Sequence, residues 1–183
     1  WDQSRSRTGM IPVSSERPLF ILAGNGPYEN RGCEAITRGT VRIIRECFKD
    51  PEFLCFSHFQ NDEQYRKQSM IETDKDIAHL QSFRVNKKKA IRAFWRPRTW
   101  SYVYRSIFNP KMLNNDIYRD LIEHINAASA VLSVGGDNYS LDYGIPHSFT
   151  GLDDIVIEKN KPMAIWGASV GPFDSMPEYE KYM

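Results

Sequence analysis

Leu19-Phe20-Ile21-Leu22-Ala23, running straight into Gly24-Asn25-Gly26, decides the fold of this 183-residue chain. A strand with one wet face alternates apolar and polar residues; an unbroken apolar run reads instead as a strand covered on both faces. The glycines then turn the chain out of the sheet, and a returning helix is expected. Ile36, Thr40, Val41, Ile44 and Phe48 supply its buried stripe, with Gly39 on the same side and Arg38, Arg42, Arg45 and Lys49 opposite. Asn30 is placed to cap that helix, Glu34 lies in its first turn where a carboxylate suits the helix dipole, and Asp50-Pro51 ends it.

The same strand-then-turn pattern recurs along the chain. Phe53-Leu54-Cys55-Phe56-Ser57 reads as a second strand, Ala130-Val131-Leu132-Ser133-Val134 delivers Gly135-Gly136-Asp137, and Met163-Ala164-Ile165-Trp166 delivers Gly167-Ala168-Ser169-Val170-Gly171-Pro172. Between them the residues from Asn61 to Phe83 are poorly patterned, with a short helix before Met70 and a strand near His79–Phe83. A helix capped by Asn109, with Pro110 in its first turn, buries Leu113, Ile117, Leu121, Ile125 and Ala128. A short helix covers 152–160, with Asn160 near its C-cap. The expected fold is α/β: a Rossmann-like parallel sheet with helices on both faces, its three glycine turns opening onto one crevice at the carboxyl edge. Residues 1–18 read as a disordered lead-in, 19–177 as the Rossmann-like domain, and 178–183 as the opening of a truncated continuation.

Composition narrows the chemistry. Cys33, Cys47 and Cys55 are odd in number and lack Cys-x-x-Cys spacing, which argues against a disulfide framework or structural zinc. His58, His79, His124 and His147 show no metal spacing, so no metal site is expected. No run approaches the length of a membrane span and no secretory leader opens the chain, which points to the cytoplasm, although a mature secreted protein shed of its signal would look the same. The net charge of +1 hides an asymmetry: between Asp76 and Asp116 there is no acidic residue, while Arg84, Lys87, Lys88, Lys89, Arg92, Arg96, Arg98, Arg105 and Lys111 are all cationic. Trp95, Trp100 and Tyr102 interleave with them, as on a membrane-facing patch or a platform for an anionic glycan, or as inward-packing aromatics beneath a solvated face. No nucleic-acid module accompanies the charge, so nucleic acid is not an expected partner.

The turns themselves are short of a dinucleotide fingerprint. After Gly24-Asn25-Gly26 the next glycine is Gly32, too late for Gly-x-Gly-x-x-Gly, and the second strand ends in Phe56-Ser57-His58-Phe59 without an acidic ribose partner. In Gly135-Gly136-Asp137-Asn138 the glycines let backbone approach a ligand, and Asp137 suits a hydroxyl acceptor or general base; an Asx-turn satisfying local N–H groups is the structural alternative. Asp142 and His147 follow as an acid–base pair in residue type, without a spacing that fixes it. Ser169 and its neighbouring N–H groups suit an anion or a sugar.

Taken in order and separation, Asn30-Arg31-Gly32-Cys33-Glu34-Ala35, Gly135-Gly136-Asp137-Asn138-Tyr139-Ser140 and Trp166-Gly167-Ala168-Ser169-Val170-Gly171-Pro172 resemble the polysaccharide pyruvyl transferase family, over Leu19 to Pro172. The resemblance implies one half of a two-domain, glycosyltransferase-like fold made of facing Rossmann-like halves. It implies transfer of the enolpyruvyl unit of phosphoenolpyruvate onto sugar hydroxyls, forming a pyruvate ketal on a cell-surface glycan or its lipid-linked precursor. Asn30, Gly32, Glu34, Gly135, Gly136 and Asp137 then fall at the family's cleft-facing positions, with Asp137, and secondarily Glu34, as catalytic candidates. Asn25, Asn138 and Ser169 join them as substrate-binding candidates, and Lys87, Lys88, Lys89, Arg92, Arg96 and Arg98 as an acceptor-holding or membrane-docking surface. No resident cofactor is implied. The donor's phosphate and carboxylate are expected to meet basic residues and a histidine of a C-terminal half, which would leave this segment inactive alone. A nucleotide-sugar glycosyltransferase and a non-enzymatic glycan- or partner-binding module are the alternatives.

Overall fold

The computed structural model describes residues 17–81, 118–141 and 147–182. Residues 1–16 of the expected lead-in, the basic stretch from Lys87 to Arg98, the Asn109 cap and Asp142 lie outside the described residues. Arg17, the first described residue, pairs with Glu52 at 2.8 Å and with Asp76 at 2.7 Å. Strand β1 (Leu19–Ala23) is buried at every position. It pairs in parallel with β2 (Glu52–Ser57) on one side and with β4 (Ala130–Val134) on the other. The edges are β3 (Ile77–Gln81) beside β2 and β5 (Met163–Trp166) beside β4, also parallel, giving the order β3-β2-β1-β4-β5. The sheet is the Rossmann-like parallel one that the apolar runs predict.

Alternation of Cβ direction sends Phe20 and Leu22 to one face and Leu19, Ile21 and Ala23 to the other. Helix α1 (Arg31–Cys47) covers the first face, packing Val41 and Ile44 with Phe20, Leu22, Phe53, Cys55, Leu132 and Val134. Helix α2 (Asp62–Ile71) leads into β3 and buries only Gln68. On the second face α3 (Arg119–Ala127) and α4 (His147–Glu158) set Leu121, Ile125, Leu152, Ile155 and Val156 against Ile21, Leu54, Phe56 and Val131. Each such side chain, fully buried, contributes about 1.5–3 kcal/mol, which is why β1 is the anchor of both layers. A short α5 (Pro177–Tyr182) follows β5.

Six details differ from the sequence reading. Helix α3 starts at Arg119 behind Tyr118, which makes no side-chain cap bond, where the sequence reading ran one helix from Pro110 through Ile117 and Leu121. Strand β5 reads like a buried strand but lies at the sheet edge with Ala164 and Ile165 exposed. Gly39 is exposed and a Cβ there would meet nothing within 4 Å. It sits about 150° around the helix from the middle of the buried stripe formed by Thr37, Thr40, Val41 and Ile44. Phe48 is 47% exposed because α1 has already ended; as the C-cap it turns extended and lays its ring 4.8 Å from that of Phe20. Strand β3 begins at Ile77, ahead of the expected His79. Helix α4 starts at His147 instead of residue 152, carrying a buried Gly151 that sequence propensity counts against a helix interior.

From β1 the chain steps outward to β2 and β3, then returns to the other side of β1 as β4. The carboxyl ends of β1 and β4 are therefore the topological switch point, where crossovers leave in opposite directions and a crevice opens.

Candidate functional site

The first loop, Gly24–Asn30, leaves β1 through Gly24, whose φ of 92° favours a residue without a Cβ. The Gly24 N–H still donates to Phe56 O at 3.1 Å, prolonging the ladder to β2. Asn25 is buried, and its side-chain N–H groups donate to Cys33 O and Thr37 Oγ1, both at 2.7 Å, fastening the loop to the start of α1. A Cβ on Gly26 would stand 3.0 Å from Cys33 Sγ, so the loop lies close against the helix. Asn30 is the N-cap, its side-chain oxygen accepting from Gly32 N at 3.0 Å. Glu34 in the first turn is held by Arg31 Nη1 at 2.7 Å.

A buried ion cluster locks the outer end of this loop. The Tyr28 N–H donates to Gln68 Oε1 at 2.7 Å and its hydroxyl to Glu72 Oε2 at 3.3 Å. Glu72 also accepts from Arg38 Nη1 at 2.7 Å, from the Asp74 N–H at 3.0 Å and meets His79 Nε2 at 3.1 Å. Burial works against the Glu72 carboxylate, but hydrogen bonds from His79 and Arg38 outweigh it and bring its pKa down to about 2. Tyr28, Arg38, Gln68, Glu72 and His79 thus fix the β1–α1 loop to α2 and β3.

The second loop, Gly135–Leu141, is joined to the first by Asn138, whose side-chain N–H groups reach Gly24 O at 3.3 Å and Val134 O at 3.0 Å. A side chain at Gly135 would overlap the Asn138 amide, so this glycine is required by close approach. Gly136 and Asp137 are exposed, and the Asp137 carbonyl accepts from the Ser140 N–H at 3.3 Å. The third loop, Gly167–Pro172, is tied to the second by Ser169 N to Gly136 O at 2.6 Å and Gly171 N to Tyr139 O at 3.3 Å. Tyr139 and Val170 also form a parallel bridge.

Beneath the second loop lies a hydroxyl–carboxyl cluster. The fully buried Tyr139 hydroxyl is 2.7 Å from Ser133 Oγ and 3.0 and 2.9 Å from the two Asp153 oxygens. Burial pushes Asp153 up to about 7; the Tyr139 hydrogen bond pulls the other way and Asp154 adds to the rise.

The three loops thus meet above the ends of β1, β4 and β5. Asn25, Asn30, Gly32 and Glu34 belong to the first loop and its helix, Gly135, Gly136, Asp137 and Asn138 to the second, and Ser169 to the third. Asn25, Asn30 and Asn138 spend their side chains on internal bonds, whereas Asp137 and Ser169 face solvent. Sequence reasoning passed over Glu72 and Asp153 and took His79 only as a strand residue without metal spacing; Tyr139, following directly on Gly-Gly-Asp-Asn, was the nearest signal. Among the described residues no cluster of His, Cys, Asp or Glu is arranged to hold a metal, and no helix is long and apolar enough to cross a membrane.

Searches of curated proteins and of solved structures give no match. The family model for polysaccharide pyruvyl transferase matches residues 30–183, from the α1 cap through the second and third loops. The order of loops on the sheet and this match agree, and the chain belongs to the polysaccharide pyruvyl transferase family.

Proposed function

We propose that the chain serves transfer of the enolpyruvyl unit of phosphoenolpyruvate to two hydroxyls of a sugar, making a pyruvate ketal on a cell-surface glycan or its lipid-linked precursor in the cytoplasm. In that reaction two sugar oxygens bond to the enol carbon and the bond from that carbon to the phosphate oxygen breaks. One hydroxyl proton ends on the new methyl group and the other on the departing phosphate. The protein must then orient acceptor hydroxyls, protonate the methylene and hold phosphate.

The observation that carries this reading is Asp137, exposed on a loop laced to both neighbouring loops at the switch point. Asp137 accepts from an acceptor hydroxyl and draws it toward the enol carbon. Glu34, already paired with Arg31, is the second candidate, and Ser169 with Gly136 backbone bounds the sugar. Asn25, Asn30 and Asn138 shape the crevice from within, while Gly32 and Gly135 keep backbone close. Lys87, Lys88, Lys89, Arg92, Arg96 and Arg98 offer the charge to hold an anionic lipid-linked acceptor at the membrane surface. The donor's phosphate and carboxylate fall to residues of a further half.

The test is phosphate release from phosphoenolpyruvate by the full-length protein with a pyruvate-free acceptor. Asp137→Ala lowers turnover by about 10²-fold or more, the scale of a lost acid–base group, with folded yield maintained. Unchanged turnover rejects the role of Asp137. Saturable nucleotide-diphosphate binding without phosphate release would favour a nucleotide-sugar glycosyltransferase instead.

A further inference from the structure

We propose that Asp153 is a positioning residue: acting through the Tyr139 hydroxyl, it holds the second and third loops in the register that presents Asp137 to the acceptor. Tyr139 is placed where three elements cross. Its ring is fully buried, and its hydroxyl lies between Ser133 Oγ on β4 and both carboxyl oxygens of Asp153 on α4. Ser133 is itself paired with Ala23 of β1, so the hydroxyl is anchored to the central strand. A phenol has one proton to give: it donates to Asp153, and Ser133 donates to the phenolic oxygen.

The backbone of the same residue carries the third loop. Tyr139 O accepts from Gly171 N and the residue bridges Val170, while three residues earlier Gly136 O accepts from Ser169 N at 2.6 Å. Asp137 lies between these two attachments. A ring fixed below therefore sets the height and rotation of the carboxylate above, and freeing the ring lets both loops move together. Removal of the hydroxyl or of its acceptor breaks the same link, so the two losses overlap and do not add.

The acceptor arm of this inference rests on the pyruvyl-transfer reading; the loop arm does not. In the full-length protein, amide hydrogen exchange at Ser169 and Gly171 is compared for Tyr139→Phe, Asp153→Asn, Asp153→Leu and Tyr139→Phe/Asp153→Leu. Tyr139→Phe and Asp153→Leu each speed exchange about tenfold, as for loss of one buried hydrogen bond, and the double variant is no faster than either. Asp153→Asn keeps an acceptor oxygen and stays near wild type. In turnover assays the same two variants lose about tenfold in kcat/KM for the acceptor, with KM for phosphoenolpyruvate unchanged. Unaltered exchange at both amides in Tyr139→Phe, or additive effects in the double variant, would overturn the proposal. Should Asp153→Leu fail to fold, Tyr139→Phe and the Asp153→Asn rescue decide it. A wild-type protein that releases no phosphate defeats the pyruvyl-transfer reading, while the exchange data still decide the positioning.

Discussion

Protonating or neutralising Glu72 should loosen the first loop in a pH-dependent way, and the geometry sets the size of the effect. The carboxylate is 4% exposed and accepts from Arg38, Tyr28 and the Asp74 backbone while meeting His79. Its folded pKa of about 2 lies below the ordinary 4.5. At about 1.36 kcal/mol per unit, the shift is a ceiling of about 3 kcal/mol. Solvent around Arg38, itself 36% exposed, screens the pair and reduces this to about 1–2 kcal/mol. Because the folded value is depressed, the contribution is complete above about pH 4.5 and fades as pH falls toward about 2. Glu72→Gln should therefore melt about 2–8 °C below wild type near neutrality, with the gap closing between about pH 4.5 and 2.5. Amide exchange at Tyr28, whose N–H donates to Gln68, should accelerate in parallel. A gap that stays constant across that range, or no gap at neutrality, would refute the claim that the Glu72 charge holds the loop.

Further outcomes follow from single contacts. Gly135→Ala drives a Cβ into Asn138, freeing its bonds to Gly24 O and Val134 O; the loss should be about 1–3 kcal/mol, read as a lower urea midpoint at unchanged m, and a change under about 0.5 kcal/mol would contradict the close packing. Asp153 titrates at about 7 when folded, above its ordinary 3.8. The folded state then holds a proton the unfolded chain has released, so stability falls as pH rises from about 4 to 7, by at most about 4 kcal/mol. Asp153→Asn should flatten that decline in thermal melts, and parallel slopes would count against it. Asn30→Ala should cost about 1 kcal/mol through the lost cap while Asn30→Gly costs a few tenths, measurable by denaturant unfolding; equal losses would place the role of Asn30 elsewhere.

Strands β1, β2 and β4 were legible because burial on both faces leaves uninterrupted apolar runs, and α1 because Asn30 caps it by a bond to a residue two positions away; β5 and its turn were legible from an apolar run that lies at the sheet edge with Ala164 and Ile165 exposed. The outer part of the sheet was read only coarsely: a short helix before Met70 and a strand near His79 were expected and are present, but α2 buries a single residue, Gln68, which is polar because it serves the Tyr28 backbone, so no apolar stripe fixed its bounds. Glu72 carries no local signal and His79 shows only a place in a strand, because their partners are distant in sequence: Arg38 is 34 and Tyr28 is 44 residues from Glu72. Asp153 was hidden in the same way, its burial set by a tyrosine on a preceding loop. The stripe of α1 was overextended to Phe48 because periodicity does not say where a helix stops.

The proposed chemistry requires one crevice at the carboxyl ends of β1 and β4. A crystal structure of the full-length protein with its sugar acceptor tests this directly. Acceptor density should lie among Asn30–Gly32, Gly136–Asp137 and Ser169, with a sugar hydroxyl within hydrogen-bond distance of the Asp137 carboxylate. An acceptor bound instead at the opposite edge of the sheet, beside the Arg17, Arg45, Glu52 and Asp76 ion pairs, would contradict it.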